Sequence, residues 1–327
     1  MSLTLAPIRQ LTLLHPLPDT EVERLHAVVP EVRLVRAGAR DWVDAVAHAD
    51  AVLLGHQGVT VDDLLGAAPG LRWIQTAAAG VDRVLTARLR ASPVVVTNAS
   101  GAHAANMAEH VMALMLGFAR QLPLLRDAQQ RQAWPPPPLP GLFEVEGQTA
   151  LVVGLGAAGG EVARKALALG LKVTAVRRDP QAEGVPGLER TVGLAQLDEE
   201  LPHADHVIVA LPLTAETRGL FDAARIARMR PGAYLYNIAR GALVDTAALL
   251  SALQSGHLAG AGLDVTDPEP LPAASPLWRL PQVVITCHTA GWTPNSARRL
   301  VDITIDNLLR ARAGRPLRNV VDPSLGY

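Results

Sequence analysis

The sequence predicts an α/β protein of two doubly wound parallel-sheet domains. Three observations predict it. Short apolar runs alternate with segments of helical spacing, the alternation occurs twice, and a glycine turn follows the first apolar run of the second round. Strands that alternate with helices argue for parallel sheets covered on both faces. At 327 residues the chain is long enough for two such domains.

In the first round, residues 11–14, 32–35, 51–54, 71–74 and 94–96 are apolar runs that read as strands. Between them, 20–28 and 41–47 carry helix-like spacing. A long helix is predicted over 104–121, where Met112, Met115, Leu116 and Ala119 form one apolar stripe, Glu109 lies in the first half, and Pro123 stops it. Next comes Trp134-Pro135-Pro136-Pro137-Pro138-Leu139-Pro140-Gly141. Its run of prolines cannot enter a helix interior or a central strand, so a stiff extended connector is expected rather than a docking motif.

The second round supplies strand candidates at 151–153, 172–176, 206–211, 233–236, 258–265 and 283–286, with a helix over 161–169 and a last helix over 295–313. If the last helix returns to the N-terminal domain, residues 1–100 and 291–327 form one domain and 101–290 the other. Two crossings, near Ser100 and Gly291, then frame a hinge and a cleft. No internal repeat is found beyond the shared α/β rhythm.

Composition narrows the function classes. A hydrophobic share of 49% with 19% charged residues describes a globular chain. A net charge of −1 gives no electrostatic case for nucleic acid. No apolar run approaches the roughly 18 residues that span a bilayer, and no signal-peptide pattern opens the chain. The single cysteine, Cys287, suits a reducing cytoplasm. No membrane or nucleic-acid partner is therefore expected, and the expected location is cytoplasmic. Metal catalysis finds no support: there is no H-E-x-x-H, and His203 and His206 are read as lying in an exposed segment without cysteine partners. His103 and His110 read as hinge or packing residues.

Two groups of residues carry chemistry. The first is the turn Gly154-Leu155-Gly156-Ala157-Ala158-Gly159, which follows a strand and opens a helix. Gly154 allows the tight turn, Gly156 the close approach of backbone to a pyrophosphate, and Gly159 close helix–strand packing. The helix N-terminus then offers free N–H groups and a positive dipole end. At the end of the next strand, about 20 residues on, an acid would hold a ribose 2′-hydroxyl. Arg177 and Arg178 stand there instead, and guanidinium groups suit a 2′-phosphate. NADP(H) is thus the expected cofactor, with NAD(H) possible if the arginines are merely solvated and Asp179 serves one position late.

The second group is Arg240, Glu269 and His288, each in a turn-rich setting just past a predicted strand. In parallel α/β sheets ligands sit at the carboxyl ends of strands. Reducing a 2-keto acid needs a cation for its carboxylate, a proton donor for the developing alkoxide, and a partner that keeps the donor charged. Arg240, His288 and Glu269 suit these tasks in that order.

In its ordered motifs the chain resembles the D-isomer-specific 2-hydroxyacid dehydrogenase family. The resemblance rests on Leu71-Arg72-Trp73-Ile74-Gln75 through Ala79-Gly80-Val81-Asp82, Met107-Ala108-Glu109-His110, the glycine turn, and Leu211-Pro212-Leu213-Thr214-Ala215-Glu216-Thr217. It continues in Arg230-Pro231-Gly232-Ala233, from Asn237 to Asp245, from Gly260 to Pro272, and from His288 to Gly291. It implies a Rossmann cofactor domain and a flavodoxin-like substrate domain around a cleft, usually as a homodimer, with Arg240, Glu269 and His288 as catalytic trio. It also implies that amides near Ala79 and Gly80 hold the substrate carboxylate. Asp264 would lie near the nicotinamide, and Leu211, Thr217 and Ile238 near the cofactor. Leu155 and Ala158 of the glycine turn, with Met107 and Gly291 from the quoted motifs, complete the expected cofactor set.

The arginine pair and compact length look most like the glyoxylate and hydroxypyruvate reductase branch. One departure is Cys287, where the family usually has proline; it is read as a small buried residue. Trp134, Trp278 and Trp292 are read as packing the domains together, with Trp292 also a candidate for lining a substrate pocket. The expected substrate is a small 2-keto or 2-hydroxy acid. A formate or phosphite oxidoreductase is the rival enzyme, although Glu269 counts against formate, where the resemblance would place glutamine. A nucleotide-sensing, corepressor-like module is the rival from another class.

Overall fold

Alternating strands and helices divide the chain into two units, Met1–His103 with Trp292–Tyr327, and Ala104–Gly291. The computed structural model describes residues 4–38, 40–55, 58–135 and 141–327. The first unit runs through β1 (Gln10–Leu14), α1 (Asp19–Val28), β2 (Arg33–Arg36), α2 (Trp42–Val46), β3 (Ala51–Leu54), α3 (Val61–Ala67), β4 (Trp73–Thr76), α4 (Ala87–Arg90) and β5 (Val95–Thr97). Its strands are all parallel in the order β2-β1-β3-β4-β5.

Successive strand residues point to opposite faces. Leu11, Leu13, Leu53 and Trp73 accordingly enter one core layer, while Leu14, Val52, Leu54, Ile74 and Val96 enter the other. Burial on both faces is why these strands read as unbroken apolar runs. Thr60 and Thr86 start α3 and α4 by accepting the N–H groups of Asp63 and Leu89.

The second unit contains α5 (Ala104–Ala119), α6 (Leu122–Gln130), β6 (Thr149–Val153), α7 (Ala157–Ala168), β7 (Lys172–Val176), β8 (Arg190–Val192), α8 (Leu197–Glu200), β9 (His206–Val209), α9 (Ala223–Arg228), β10 (Ala233–Asn237), α10 (Thr246–Gln254), β11 (Leu258–Leu263) and β12 (Val283–Ile285). Its parallel sheet has the order β12-β11-β10-β9-β6-β7-β8. The chain winds outward from β6 through β7 to β8, then returns to the other side of β6 and winds out through β9. This reversal between β6 and β9 is the switch point at which open α/β sheets bind ligands.

The chain then rejoins the first unit through α11 (Pro294–Arg312), which Thr293 opens with a capping box. The buried Asn307 on α11 donates to Gln75 Oε1 at 3.2 Å and accepts Arg318 N–H at 2.7 Å. Gln75 Oε1 also accepts the Thr97 hydroxyl at 2.7 Å, so α11, β4 and β5 share one buried polar network. Such a network holds the returning helix in register because displacing it would leave buried polar groups of Gln75 and Asn307 short of partners.

Three expectations need correction. The long helix ends at Ala119, and Pro123 starts α6 rather than stopping α5; the break comes at Gln121, whose φ of 51° is left-handed. β8 was not foreseen, because Arg190-Thr191-Val192 is short and polar at the sheet edge. His206 does not lie in an exposed segment: it is wholly buried in β9, whereas His203 is exposed. Its Nε2 is 2.7 Å from Gln148 Oε1 and its Nδ1 3.0 Å from the Tyr236 hydroxyl, which satisfy a neutral ring. The expected connector lies largely outside the described residues, at 136–140. Among the described residues no helix is long and apolar enough to cross a membrane.

Candidate active site

The glycine turn has the geometry of an anion cradle. Gly154 turns the chain out of β6 at φ 107°. A Cβ on Gly159 would sit 1.8 Å from Gly154 O, so α7 meets the turn only because that residue has no side chain. Gly156, by contrast, is the N-cap of α7 with no capping side chain, and a Cβ there would meet nothing within 4 Å. The first N–H groups of an α-helix lack intrahelical acceptors and carry the positive end of its dipole. Open space over bare backbone donors fits the pyrophosphate of a dinucleotide. Leu155 and Ala158 border this space as half-buried residues.

The two arginines beyond β7 divide their work. Arg177 donates from Nη1 to Glu183 O at 2.9 Å, and so braces its own loop. Arg178 is half exposed, 4.0 Å from Glu216 in the loop after β9. That loop closes on itself through Thr217, whose hydroxyl donates to Pro212 O at 2.7 Å and accepts Thr214 N–H at 2.8 Å. Thr217 and Ile238 are both buried and Leu211 packs on the core. Leu211 and Thr217 lie in the loop after β9, and Ile238 directly follows β10.

Three loops at the carboxyl ends of β10, β11 and β12 carry Arg240, Glu269 and His288. Asn237 fixes the first: its Nδ2 donates to Arg240 O at 2.8 Å and its Oδ1 accepts Ala239 N–H at 3.1 Å. Arg240 Nη1 donates to Ala239 O at 2.8 Å. A Cβ on Gly241 would come within 2.0 Å of Thr266, so this loop lies directly against the one carrying Glu269. His288 N donates to Asp264 O at 2.6 Å, which joins the third loop to the second.

His288 Nδ1 meets Glu269 Oε1 at 2.7 Å. An ionised carboxylate only accepts, so Nδ1 carries the proton and Nε2 is left for chemistry. Their side chains are 43% and 28% exposed, which leaves the imidazole within reach of solvent.

Asp264, the residue expected near the nicotinamide, stands just past the end of β11. Its side chain is 1% exposed and its carboxylate is committed to the His288 turn. Oδ1 accepts Thr286 Oγ1 at 2.8 Å and Thr289 N–H at 2.8 Å, and both oxygens lie 3.2 Å from Ala290 N. Sequence reasoning did not assign Asn237 or Thr286 a role. A polar residue closing an apolar run was the available signal; Asn237 is buried and Thr286 half-buried. Met107 is half buried on α5, and Gly291 closes the unit. Ala79, Gly80 and Trp292 belong to the first unit, the first two in the turn after β4.

Cys287 is exposed with φ 52°, which corrects the reading of a small buried residue. The chain reverses sharply after β12, and this turns the thiol outward. Trp134, Trp278 and Trp292 are also exposed, so they do not pack in the core; the fully buried tryptophan is Trp73. Among the described residues no group of three or more His, Cys, Asp or Glu side chains is placed to hold a metal ion.

Residues 112–290 match the family model for the NAD binding domain of D-isomer specific 2-hydroxyacid dehydrogenases. D-3-phosphoglycerate dehydrogenase of Mycobacterium bovis is 37% identical over 294 residues, covering 89% of this chain and 55% of that one. The chain thus spans about half the length of the phosphoglycerate dehydrogenases it matches. Glyoxylate/hydroxypyruvate reductase B of Citrobacter koseri is 35% identical over 318 residues, covering 94% of this chain and 96% of that one. The solved NADPH-dependent glyoxylate/hydroxypyruvate reductase of Sinorhizobium meliloti, in complex with NADP and sulfate, superposes with a TM-score of 0.84. It is 29% identical and covers 97% of this chain and 99% of its own.

Proposed function

The chain belongs to the D-isomer specific 2-hydroxyacid dehydrogenase family, and from that premise we propose that it reduces small 2-keto acids, glyoxylate or hydroxypyruvate, to D-2-hydroxy acids with NADPH. The observation that carries this reading is the 2.7 Å contact between His288 Nδ1 and Glu269 Oε1, in a turn laced to the loop of Arg240.

A bound reduced nicotinamide supplies hydride to the keto carbon. The chain's own residues do the rest. The Arg240 guanidinium pairs with the substrate carboxylate and draws electron density from the adjacent carbonyl. As the carbonyl oxygen becomes an alkoxide, His288 transfers the proton on Nε2 to it. Glu269, accepting from Nδ1, stabilises the imidazolium before transfer and keeps the ring aimed. The partly exposed ring then recovers a proton from solvent. Backbone amides of Ala79 and Gly80 are proposed as further carboxylate donors, with Trp292 as a substrate-selecting side chain.

The NADPH preference is proposed for Arg178, which stays half exposed while Arg177 braces its loop. The NADP-bound Sinorhizobium meliloti reductase supports this choice, and the phosphoglycerate dehydrogenase relatives favour a second reading, oxidation of D-3-phosphoglycerate.

Initial rates with NADPH and NADH against glyoxylate, hydroxypyruvate and pyruvate test the proposal, with D-3-phosphoglycerate oxidation as the competing arm. NADPH-dependent turnover of a keto acid is expected, with Arg178→Ala raising the NADPH KM about tenfold and leaving that for NADH unchanged. Turnover only of D-3-phosphoglycerate would overturn the substrate class. Nucleotide-dependent capture of a protein partner without turnover would favour the sensing module.

A further inference from the structure

The turn that presents His288 is gripped by a helix that contributes no residue to the trio. Asn106 and His110 stand four residues apart on α5, hence on one face. The buried Asn106 donates from Nδ2 to Ala290 O at 2.6 Å, at the far end of the turn. His110 Nε2 lies 2.8 Å from Thr286 Oγ1, at the near end. The Thr286 hydroxyl has one proton, and it goes to Asp264 Oδ1 at 2.8 Å. Thr286 therefore accepts from His110, which places the His110 proton on Nε2.

Between these two grips the backbone is strained. Cys287 and His288 have φ values of 52° and 58°, in the left-handed region that a residue with a Cβ disfavours. Such a conformation persists only when surrounding contacts over-determine it. Here Asp264 fastens the turn from within, and α5 fastens both its ends. Releasing α5 leaves the strained residues free to relax toward ordinary φ, which swings the ring away from Glu269.

We propose that Asn106 and His110 are positioning residues: they clamp the 286–290 turn so that His288 stays oriented on Glu269. The inference rests on the reading of His288 as proton donor, and goes beyond it by assigning its geometry to the first two turns of α5.

Two readouts test it. The first is keto-acid kinetics of Asn106→Ala, His110→Leu and the double variant. His110→Gln, which keeps an N–H at a similar reach, serves as the conservative control. The second does not need turnover. Cys287 is the chain's single cysteine, is exposed and lies inside the clamped turn, so a nitroxide placed there reports the turn's motion by electron paramagnetic resonance.

The clamp predicts that kcat falls about tenfold in each single variant and further in the double, with the NADPH KM within about twofold of wild type and His110→Gln largely restored. It also predicts a more mobile nitroxide spectrum in the double variant. An unchanged spectrum overturns the clamp whatever the kinetics, and a mobilised turn with undiminished kcat overturns its positioning role. Absence of turnover in the unmodified protein would instead sink the functional reading, and the spectrum alone would then judge the clamp.

Discussion

His288 and His206 differ in what surrounds the same imidazole. His288 is partly exposed and bound to a carboxylate, so a charged ring has both a partner and a route to water. His206 is fully buried, and burial pushes its pKa down to about 4, against the smaller opposing pull of Asp205. Gln148 Oε1 accepts from its Nε2, and its Nδ1 accepts from Tyr236, whose own ionisation is pushed up by burial.

The sign of the linkage follows. The unfolded chain takes up this proton near pH 6.5 and the folded chain only near 4. Stability from the neutral ring is complete above pH 6.5 and is lost as pH falls toward 4, by up to about 3 kcal/mol. Denaturant unfolding at pH 7.5 and 5.0 should therefore show a smaller acid-induced loss in His206→Gln than in the unaltered chain. Equal losses would refute the assignment.

The three residues proposed for catalysis could be picked out in the sequence because each stands within four residues of the end of an apolar run. His206 was misread, because its neutrality depends on Gln148 and Tyr236, which are 58 and 30 residues away.

Among the elements, the glycine turn separates fold from function most cleanly. A methyl group on Gly159 collides with backbone, whereas one on Gly156 enters open space. Gly159→Ala should cost about 1–3 kcal/mol of stability as well as nucleotide affinity. Gly156→Ala should leave the melting temperature nearly unchanged and weaken nucleotide binding at least about tenfold, by standing where phosphate approaches. Paired melting and nucleotide titrations check this, and a stable Gly159→Ala that binds nucleotide normally would contradict it.

Strands buried on both faces announced themselves as apolar runs. β8 did not, since an edge strand of three residues needs only its pairing with β7. Nor did the sequence reveal the end of α5, where the break lies in the backbone of Gln121 rather than at the proline.

At the scale of the whole molecule, the two rounds of alternation appear as two separate parallel sheets, β2-β1-β3-β4-β5 and β12-β11-β10-β9-β6-β7-β8. The strand order itself was not readable from local pattern, since it is set by which crossovers pack. The buried link from Asn307 to Gln75 was equally hidden, spanning 232 residues.

The homodimer is a proposal at this scale. Leu122 and Leu124 on α6 are exposed, and so is Leu142, whose neighbour Gly141 accepts from Gln121 Nε2 at 2.9 Å beside the start of that helix. An exposed apolar surface of this kind favours association. Light scattering should give twice the 34.6 kDa chain mass, and Leu122→Asp with Leu124→Asp should return it to one chain. A monomer before mutation would count against the dimer.

The central claim is that His288, held by Glu269, supplies the proton to a keto acid. Its most direct test is kcat/KM for the best keto acid in His288→Ala, beside nucleotide affinity measured on the same preparation. The predicted result is a loss of about 100- to 10,000-fold with nucleotide affinity unchanged. A loss of only a few-fold would contradict the claim and place the acid elsewhere.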